Sequence, residues 1–236
     1  MGSLRILSHD TMLMRDRREA GRLLAGELDE YRGENAVVLG VPRGGVVVAQ
    51  EIAQVLDAEM DILLARKLRT PGHAELAMGS VTEDGHQFLI EELVRGVGIS
   101  EAAVQQEKEY QMTEIRCRTA LYRRERRRVA LAGRIVIVTD DGVATGATMR
   151  AALWATRLEK PEKLIAAYPV GPEDTIVKLA SDTDETICLL TPPDFSAVGQ
   201  FYARFEPVED DEVLEILRQE QNRVQTQAGR SENLCP

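Results

Sequence analysis

The chain has 236 residues, 44% of them hydrophobic and 29% charged, enough to bury a sizeable core in one large domain or two small ones. Its net charge of −10 argues against general binding to nucleic acid or membrane surfaces, because a phosphate-rich partner is repelled overall. Three scattered cysteines without CxxC spacing fit neither a disulfide framework nor a zinc site and point to a reducing, cytoplasmic setting.

No apolar run of signal-peptide length follows a basic start, and no stretch approaches the length of a membrane span, so neither is expected. The first helix is predicted from Asp16, which stands three residues before Glu19 as in a capping box. Ala20, Leu23, Leu24, Leu28 and Tyr31 follow on one face, and Gly33 ends the helix. Residues 36–41 read as a buried strand, after which Gly44 and Gly45 open a helix carrying Val48, Ile52 and Val55. A second strand is predicted at 61–65. Residues 70–91 break into a Pro-Gly loop and a hairpin around Glu83-Asp84-Gly85.

Ser100 is the predicted N-cap of a long helix reaching to about residue 128, with Met112, Ile115, Thr119 and Tyr122 as its thin stripe. A strand follows at 135–138, then a helix with Met149, Ala152, Leu153 and Thr156 inward. Strands at 164–170 and 186–190 flank a helix at 173–179. Continuous apolar strands alternating with helices predict an α/β fold: a doubly wound, mostly parallel five-stranded sheet with a small hood or hairpin elaboration. One domain is expected over 1–222, with a C-terminal hood segment at about 191–222. Residues 223–236 are expected to be a disordered polar tail.

The chemistry concentrates in "IVIVTDDGVATGAT", residues 135–148. An apolar strand surfaces as two adjacent acids, then a loop of small residues opens a helix. Parallel sheets bind ligands at such strand ends. Gly146 admits close backbone approach, and amides from Thr145 to Thr148 at a helix N-terminus attract an anion. The loop is read as a phosphate cradle. Asp140 and Asp141 would repel phosphate but accept hydrogen bonds from a vicinal diol, and phosphate beside diol describes a ribose 5-phosphate. A P-loop lysine after the glycine is missing, and "LGVPRGG" lacks the GxGxxG fingerprint.

This stretch resembles the phosphoribosyl-diphosphate (PRPP) motif of type I phosphoribosyltransferases. The resemblance implies that Asp140 and Asp141 hold the ribose hydroxyls and that Ala144, Thr145, Gly146, Ala147 and Thr148 hold the 5-phosphate. The chain departs from the motif at Thr139, at Gly142, where an aliphatic residue is usual, and at Ala144, which replaces a frequent Thr or Asp. Val41-Pro42-Arg43-Gly44-Gly45 resembles the family's pyrophosphate loop, although such a turn is also an ordinary strand-helix connection. Lys67, beside Arg66, stands where several members meet pyrophosphate with a basic residue. Within "TPGHAELAMGSV", where the family often keeps a mobile loop, His73 and Glu75 are candidate acid-base groups, and a solvated role is the alternative for each.

The implied reaction is transfer from PRPP to a nitrogenous base, purine or pyrimidine-like, with release of pyrophosphate. Magnesium (Mg2+) would arrive with PRPP and need no protein cage. A non-catalytic PRPP-binding regulator on the same fold is the alternative. Seven arginines at 116–128 are read as a solvated helix face rather than a nucleic-acid site. The acidic segment 206–215 is expected to pair with them across a homodimer. Phe195, Phe201, Tyr202 and Phe205 form either a hood that stacks a base or a plug on the core.

Overall fold

The computed structural model describes the backbone of residues 2–232 and the side chains of residues 2–73 and 76–226. Among these residues, six parallel strands form the central sheet. They are β1 (Ser3–Ser8), β2 (Ala36–Gly40), β3 (Glu59–Ile62), β7 (Ile135–Thr139), β8 (Lys163–Val170) and β9 (Glu185–Leu190), in the order β1-β9-β8-β7-β2-β3. Strands β4 (Ala65–Thr70), β5 (His73–Thr82) and β6 (Gln87–Leu89) make a separate antiparallel sheet. The doubly wound parallel sheet is as predicted, with one strand more than expected. The extra strand is β1, whose sequence SLRILS alternates and whose edge position leaves it only partly buried, so it lacks the continuous apolar signature of the others.

The period-two geometry of a strand sorts the core into two layers. Val38 and Ile137 face α1 (Arg17–Glu27), α2 (Gly44–Leu56) and α7 (Asp210–Glu232), where Leu24, Ile52 and Leu217 are fully buried. Val37, Leu39, Val136 and Val138 face α5 (Ala147–Leu158) and α6 (Glu173–Ala180), through Met149, Leu153, Ile176 and Leu179. Each such fully buried aliphatic side chain contributes about 1.5–3 kcal/mol.

Local signals place the helix starts. Asp16 accepts from the Glu19 amide at 2.9 Å, and Glu19 reaches back to the Arg15 amide at 2.5 Å. Between β6 and β7 lie α3 (Glu91–Val97) and α4 (Glu101–Tyr122), with Ser100 capping α4 by accepting from the Ala103 amide at 3.2 Å. The Glu83-Asp84-Gly85 turn joins β5 to β6, with Gly85 at φ +82°.

Two readings need correction. The helix expected to reach residue 128 stops at Tyr122, and three of the five arginines beyond it form ties, while Arg124 and Arg127, like Arg116 and Arg118 on the helix, remain exposed as read. Arg123 donates to Asp61 at 2.6 Å and to Glu83 at 2.5 Å, Arg126 reaches the Met60 carbonyl and Glu59, and Arg128 pairs with Asp84 and Glu159. Arg126 is 4% exposed. These pairs bind the antiparallel sheet and α4 to β3. Second, α7 runs to Glu232 through residues read as a polar tail. Glu220, 1% exposed, pairs with Arg223, and Gln221 accepts from Arg126 at 3.2 Å. Its apolar face is confined to Val213, Ile216 and Leu217 near the start, which left the remainder without a period. Residues 233–236 of the expected tail lie outside the described residues. Among those described, no helix is long and apolar enough to cross a membrane.

Candidate active site

Strands β2 and β7 are neighbours, with Gly40 opposite Thr139, so residues 41–45 and 140–148 leave the sheet side by side at its carboxyl edge. The helix after β2 packs on one face and the helix after β7 on the other. This is a topological switch point, where open α/β sheets form their ligand crevice. The Val41 amide donates to the Thr139 carbonyl at 3.0 Å and closes the seam.

The two loops lie directly on each other. A Cβ added to Gly44 would fall 1.9 Å from Asp141 Oδ2, and one added to Gly45 would fall 2.8 Å from Asp140 Cα. Glycine is required here by close approach, not only by the turn. The intervening Pro42–Arg43 peptide is cis.

Asp140 Oδ1 accepts from the Asp141 amide at 2.8 Å. Desolvation beneath the glycine loop, reinforced by the neighbouring Asp141 carboxylate, pushes the Asp140 carboxyl well above the usual range. Desolvation also raises Asp141, opposed by Arg17. Arg17 Nε lies 2.7 Å from Asp141 Oδ2, its Nη1 donates to the Glu206 carbonyl at 2.9 Å, and its guanidinium sits 3.9 Å above the Phe205 ring. Tyr202 donates its hydroxyl to the Asp141 carbonyl at 2.6 Å. Arg17 was not legible in the sequence, and Tyr202 was legible only as one of the C-terminal rings, not as a partner of Asp141. Arg17 is an ordinary first-turn residue of α1, and its partner is set by the tertiary fold alone.

In the second loop Gly146 caps α5 with φ +75°, and a Cβ there would meet Thr175 at 2.8 Å. Thr145 and Thr148 are exposed, and Ala144 accepts from the Thr175 hydroxyl at 3.2 Å. The amides that open α5 form an anion-attracting end. Gly142 has a specific cause: a Cβ there would lie 2.5 Å from Val198, which comes from a short 3-10 turn, Val198–Phe201. That turn occupies the space the usual aliphatic residue would fill.

A cavity of about 420 Å³ opens beside these parts, lined by Val41 and Pro42 from the first loop, Lys67 from β4 and Thr148 from the first turn of α5; Asp140, Asp141, Gly44 and Gly45 are not among its lining residues, and Thr145, Gly146 and Ala147 line a separate pocket with Trp154 and Thr175. Arg43 stands at the surface beside it, 3.1 Å from Glu209. His73 is exposed, opposite Thr70 at the tip of the β4–β5 hairpin, and is not among the lining residues. The Glu75 side chain lies outside the described residues.

The C-terminal rings are used within the chain. Phe195 stacks on Phe201 at 5.5 Å and Tyr202 on Phe205 at 4.9 Å, with Phe201 1% and Tyr202 6% exposed. Phe201 and Tyr202 belong to the plug on the core, while Phe195 and Phe205 remain half-buried beside them. Part of the acidic segment pairs within the chain. Besides Arg43–Glu209, Tyr122 donates to Asp210 at 2.5 Å and Arg18 lies 3.9 Å from Glu212.

Comparison with known proteins agrees with this geometry. A family model described as "Phosphoribosyl transferase domain" matches residues 13–204. The Mycobacterium tuberculosis proteins named "Putative phosphoribosyl transferase MT0597" and "Putative phosphoribosyl transferase Rv0571c" are each 44% identical over 205 residues. The match covers 87% of this chain but 46% of theirs, so the chain spans about half the length of these curated relatives. The crystal structure of TT1426 from Thermus thermophilus is similar at a TM-score of 0.84 and 42% identity, covering 88% of this chain and 99% of that one.

Proposed function

The chain belongs to the phosphoribosyl transferase family, and from that premise we propose that it moves the 5-phosphoribosyl group of PRPP to a nitrogenous base and releases pyrophosphate. The observation that carries this reading is the cavity bordered by Pro42, Lys67 and Thr148, at the point where the two loops leave adjacent strands. In this proposal the amides of residues 144–148, with the hydroxyls of Thr145 and Thr148, hold the 5-phosphate. Asp140 and Asp141 accept hydrogen bonds from the ribose hydroxyls. The amides of Gly44 and Gly45, with Arg43 and Lys67, hold the pyrophosphate.

The bond from carbon 1 to the pyrophosphate oxygen breaks as a nitrogen lone pair of the acceptor forms the new bond. Positive charge develops on the sugar between these events. The protein's part is positioning and electrostatics. The Asp140–Asp141 pair lies beneath the sugar, and the cations stabilise the departing diphosphate. Asp140 and Asp141 offer hard oxygens that suit a substrate-bound magnesium ion, which would supply further neutralisation of the leaving group. His73 is exposed at the tip of the β4–β5 hairpin and the Glu75 side chain lies outside the described residues, so no protein base is assigned here. For any longer polypeptide that contains this chain, the activity is part of the same proposal.

The test is incubation with magnesium PRPP and a panel of purine and pyrimidine bases while pyrophosphate release is followed. Release that depends on one base supports transfer. Thermal protection by PRPP with no release under any base would mark a PRPP-binding regulator instead.

A further inference from the structure

The cavity continues past Pro42 along a basic wall. Helix α4 lines it with Gln111, Glu114 and Arg118, which fall on one helix face over two turns, about 10 Å. Strand β4 adds Arg66, Lys67 and Arg69. Among the described residues, four cations therefore line the cavity with one carboxylate, Glu114, in a chain whose net charge is −10.

Part of that charge stays available to a ligand. Arg69 is held by Glu107 at 2.8 Å. Arg66 Nε donates to the Gln111 amide oxygen at 2.7 Å, a contact that orients the guanidinium without neutralising it. Arg118 is exposed and has no ion-pair partner among the described residues. Burial and the Asp210 carboxylate raise the proton affinity of the Tyr122 hydroxyl, and the charges of Arg118 and Arg43 both oppose that rise. Arg43 and Arg118 thus converge on one hydroxyl, and a basic path runs from the pyrophosphate loop to the wall.

The diphosphate already has the amides of Gly44 and Gly45 with Arg43 and Lys67 in the reading above. Arg66 and Arg118 stand beyond them. The acceptor cannot use this wall, because displacement at carbon 1 brings the nucleophile from the side opposite the leaving group. Oriented guanidinium forks suit phosphate oxygens, and an anion continuous with the diphosphate reaches them.

We propose that the wall formed by α4 and β4 binds a third phosphate in line with the diphosphate, so that the cleft takes the triphosphate chain of a nucleoside triphosphate or of inorganic polyphosphate in competition with PRPP. This rests on the transfer reading above and adds a regulatory ligand at the leaving-group end of that site. Two phosphates take Arg43 and Lys67, and the third takes Arg66 and Arg118.

The test is calorimetric and needs no turnover. Magnesium pyrophosphate, magnesium tripolyphosphate and magnesium ATP are titrated at one ionic strength. Tripolyphosphate is expected to bind about tenfold or more tightly than pyrophosphate. Arg118→Gln, at an exposed position, and Arg66→Gln should each erase most of that preference while pyrophosphate binds as before. Arg43→Ala should weaken both ligands, and saturating PRPP should block tripolyphosphate. ATP that matches tripolyphosphate, with the same dependence on Arg118, assigns the wall to nucleoside triphosphates. Tripolyphosphate binding without ATP binding assigns it to inorganic polyphosphate. Equal affinity for pyrophosphate and tripolyphosphate overturns the proposal. So does an equal loss of both in Arg118→Gln, since the wall would then serve the diphosphate alone. Tripolyphosphate binding undisturbed by PRPP that itself binds overturns it as well. Absence of PRPP binding in a parallel titration removes the transfer reading and leaves the tripolyphosphate preference measured in its own right.

Discussion

Arg17 and Asp141, 124 residues apart in the chain, meet at 2.7 Å between Nε and Oδ2 with side chains 11% and 17% exposed. The pair joins the first turn of α1 to the acid that follows the central strand. Two acids in sequence beneath a glycine loop repel each other. Arg17 offsets the desolvation of Asp141, while Asp140, desolvated and beside that carboxylate, is left with its proton affinity raised.

Arg17→Gln should therefore cost stability and ligand affinity together. Removing one partner of a largely buried ion pair costs about 3 kcal/mol, because the other charge stays behind. Chemical denaturation should report a loss of that order. PRPP-dependent thermal protection should also shrink, as Asp141 loses the contact that fixes its carboxylate. A variant with unchanged midpoint and unchanged protection would make the pair incidental.

Asp140→Asn should stabilise the ligand-free protein at neutral pH. The folded-state pKa of Asp140 is raised by burial and by Asp141. The native state thus holds the proton more tightly than the unfolded chain, whose Asp titrates near about pH 4. That contribution is complete below the unfolded pKa and is lost as pH rises through the folded one. Denaturation midpoints followed from pH 4 upward should fall more steeply for wild type than for Asp140→Asn. The Asn oxygen still accepts from the Asp141 amide, so folding is preserved. PRPP protection should weaken in the same variant, since a diol-accepting carboxylate is gone.

Gly44→Ala tests whether the two loops must touch. Its methyl would sit 1.9 Å from Asp141 Oδ2, so the loop must lift or the acid must swing away. Overpacking of this kind costs about 1–3 kcal/mol. We expect PRPP protection to be lost even in the fraction that folds. Wild-type protection in a folded variant would show that the loop contact is dispensable for binding.

Arg43→Ala and Thr148→Ala separate the leaving group from the sugar. Arg43 is proposed to meet only the pyrophosphate, so its loss should weaken PRPP by about ten- to a hundredfold, or 1.5–3 kcal/mol, and leave ribose 5-phosphate unchanged. Thr148→Ala should weaken both ligands by a similar factor. Glu209 now holds Arg43 at 3.1 Å in an exposed pair. Because such pairs contribute little, Glu209→Gln should tighten PRPP only slightly. Calorimetric titration of both ligands against the three variants distinguishes these outcomes, and equal losses for both ligands in Arg43→Ala would make Arg43 structural.

Much of this was written locally in the chain. The apolar runs that became β2, β7, β8 and β9 needed only their own side-chain pattern, because a strand buried on both faces is apolar throughout. Asp16 and Ser100 announced their helices because a cap bonds within three residues of itself. The acids and the small-residue loop at 140–148 were legible because the strand end, the loop and the helix start are consecutive. What the fold alone decided are relations between distant segments. Arg17 has no local mark that would assign it to Asp141, and the space beside Gly142 is closed by Val198 arriving from the C-terminal turn and by Val170. Arg123 and Arg128 read as solvated, and only the fold brings Asp61, Glu83 and Asp84 against them. Periodicity and capping act over a few residues and survive in the sequence. An ion pair or a filled gap depends on which segments the folded backbone carries together, and no short window of sequence contains both halves.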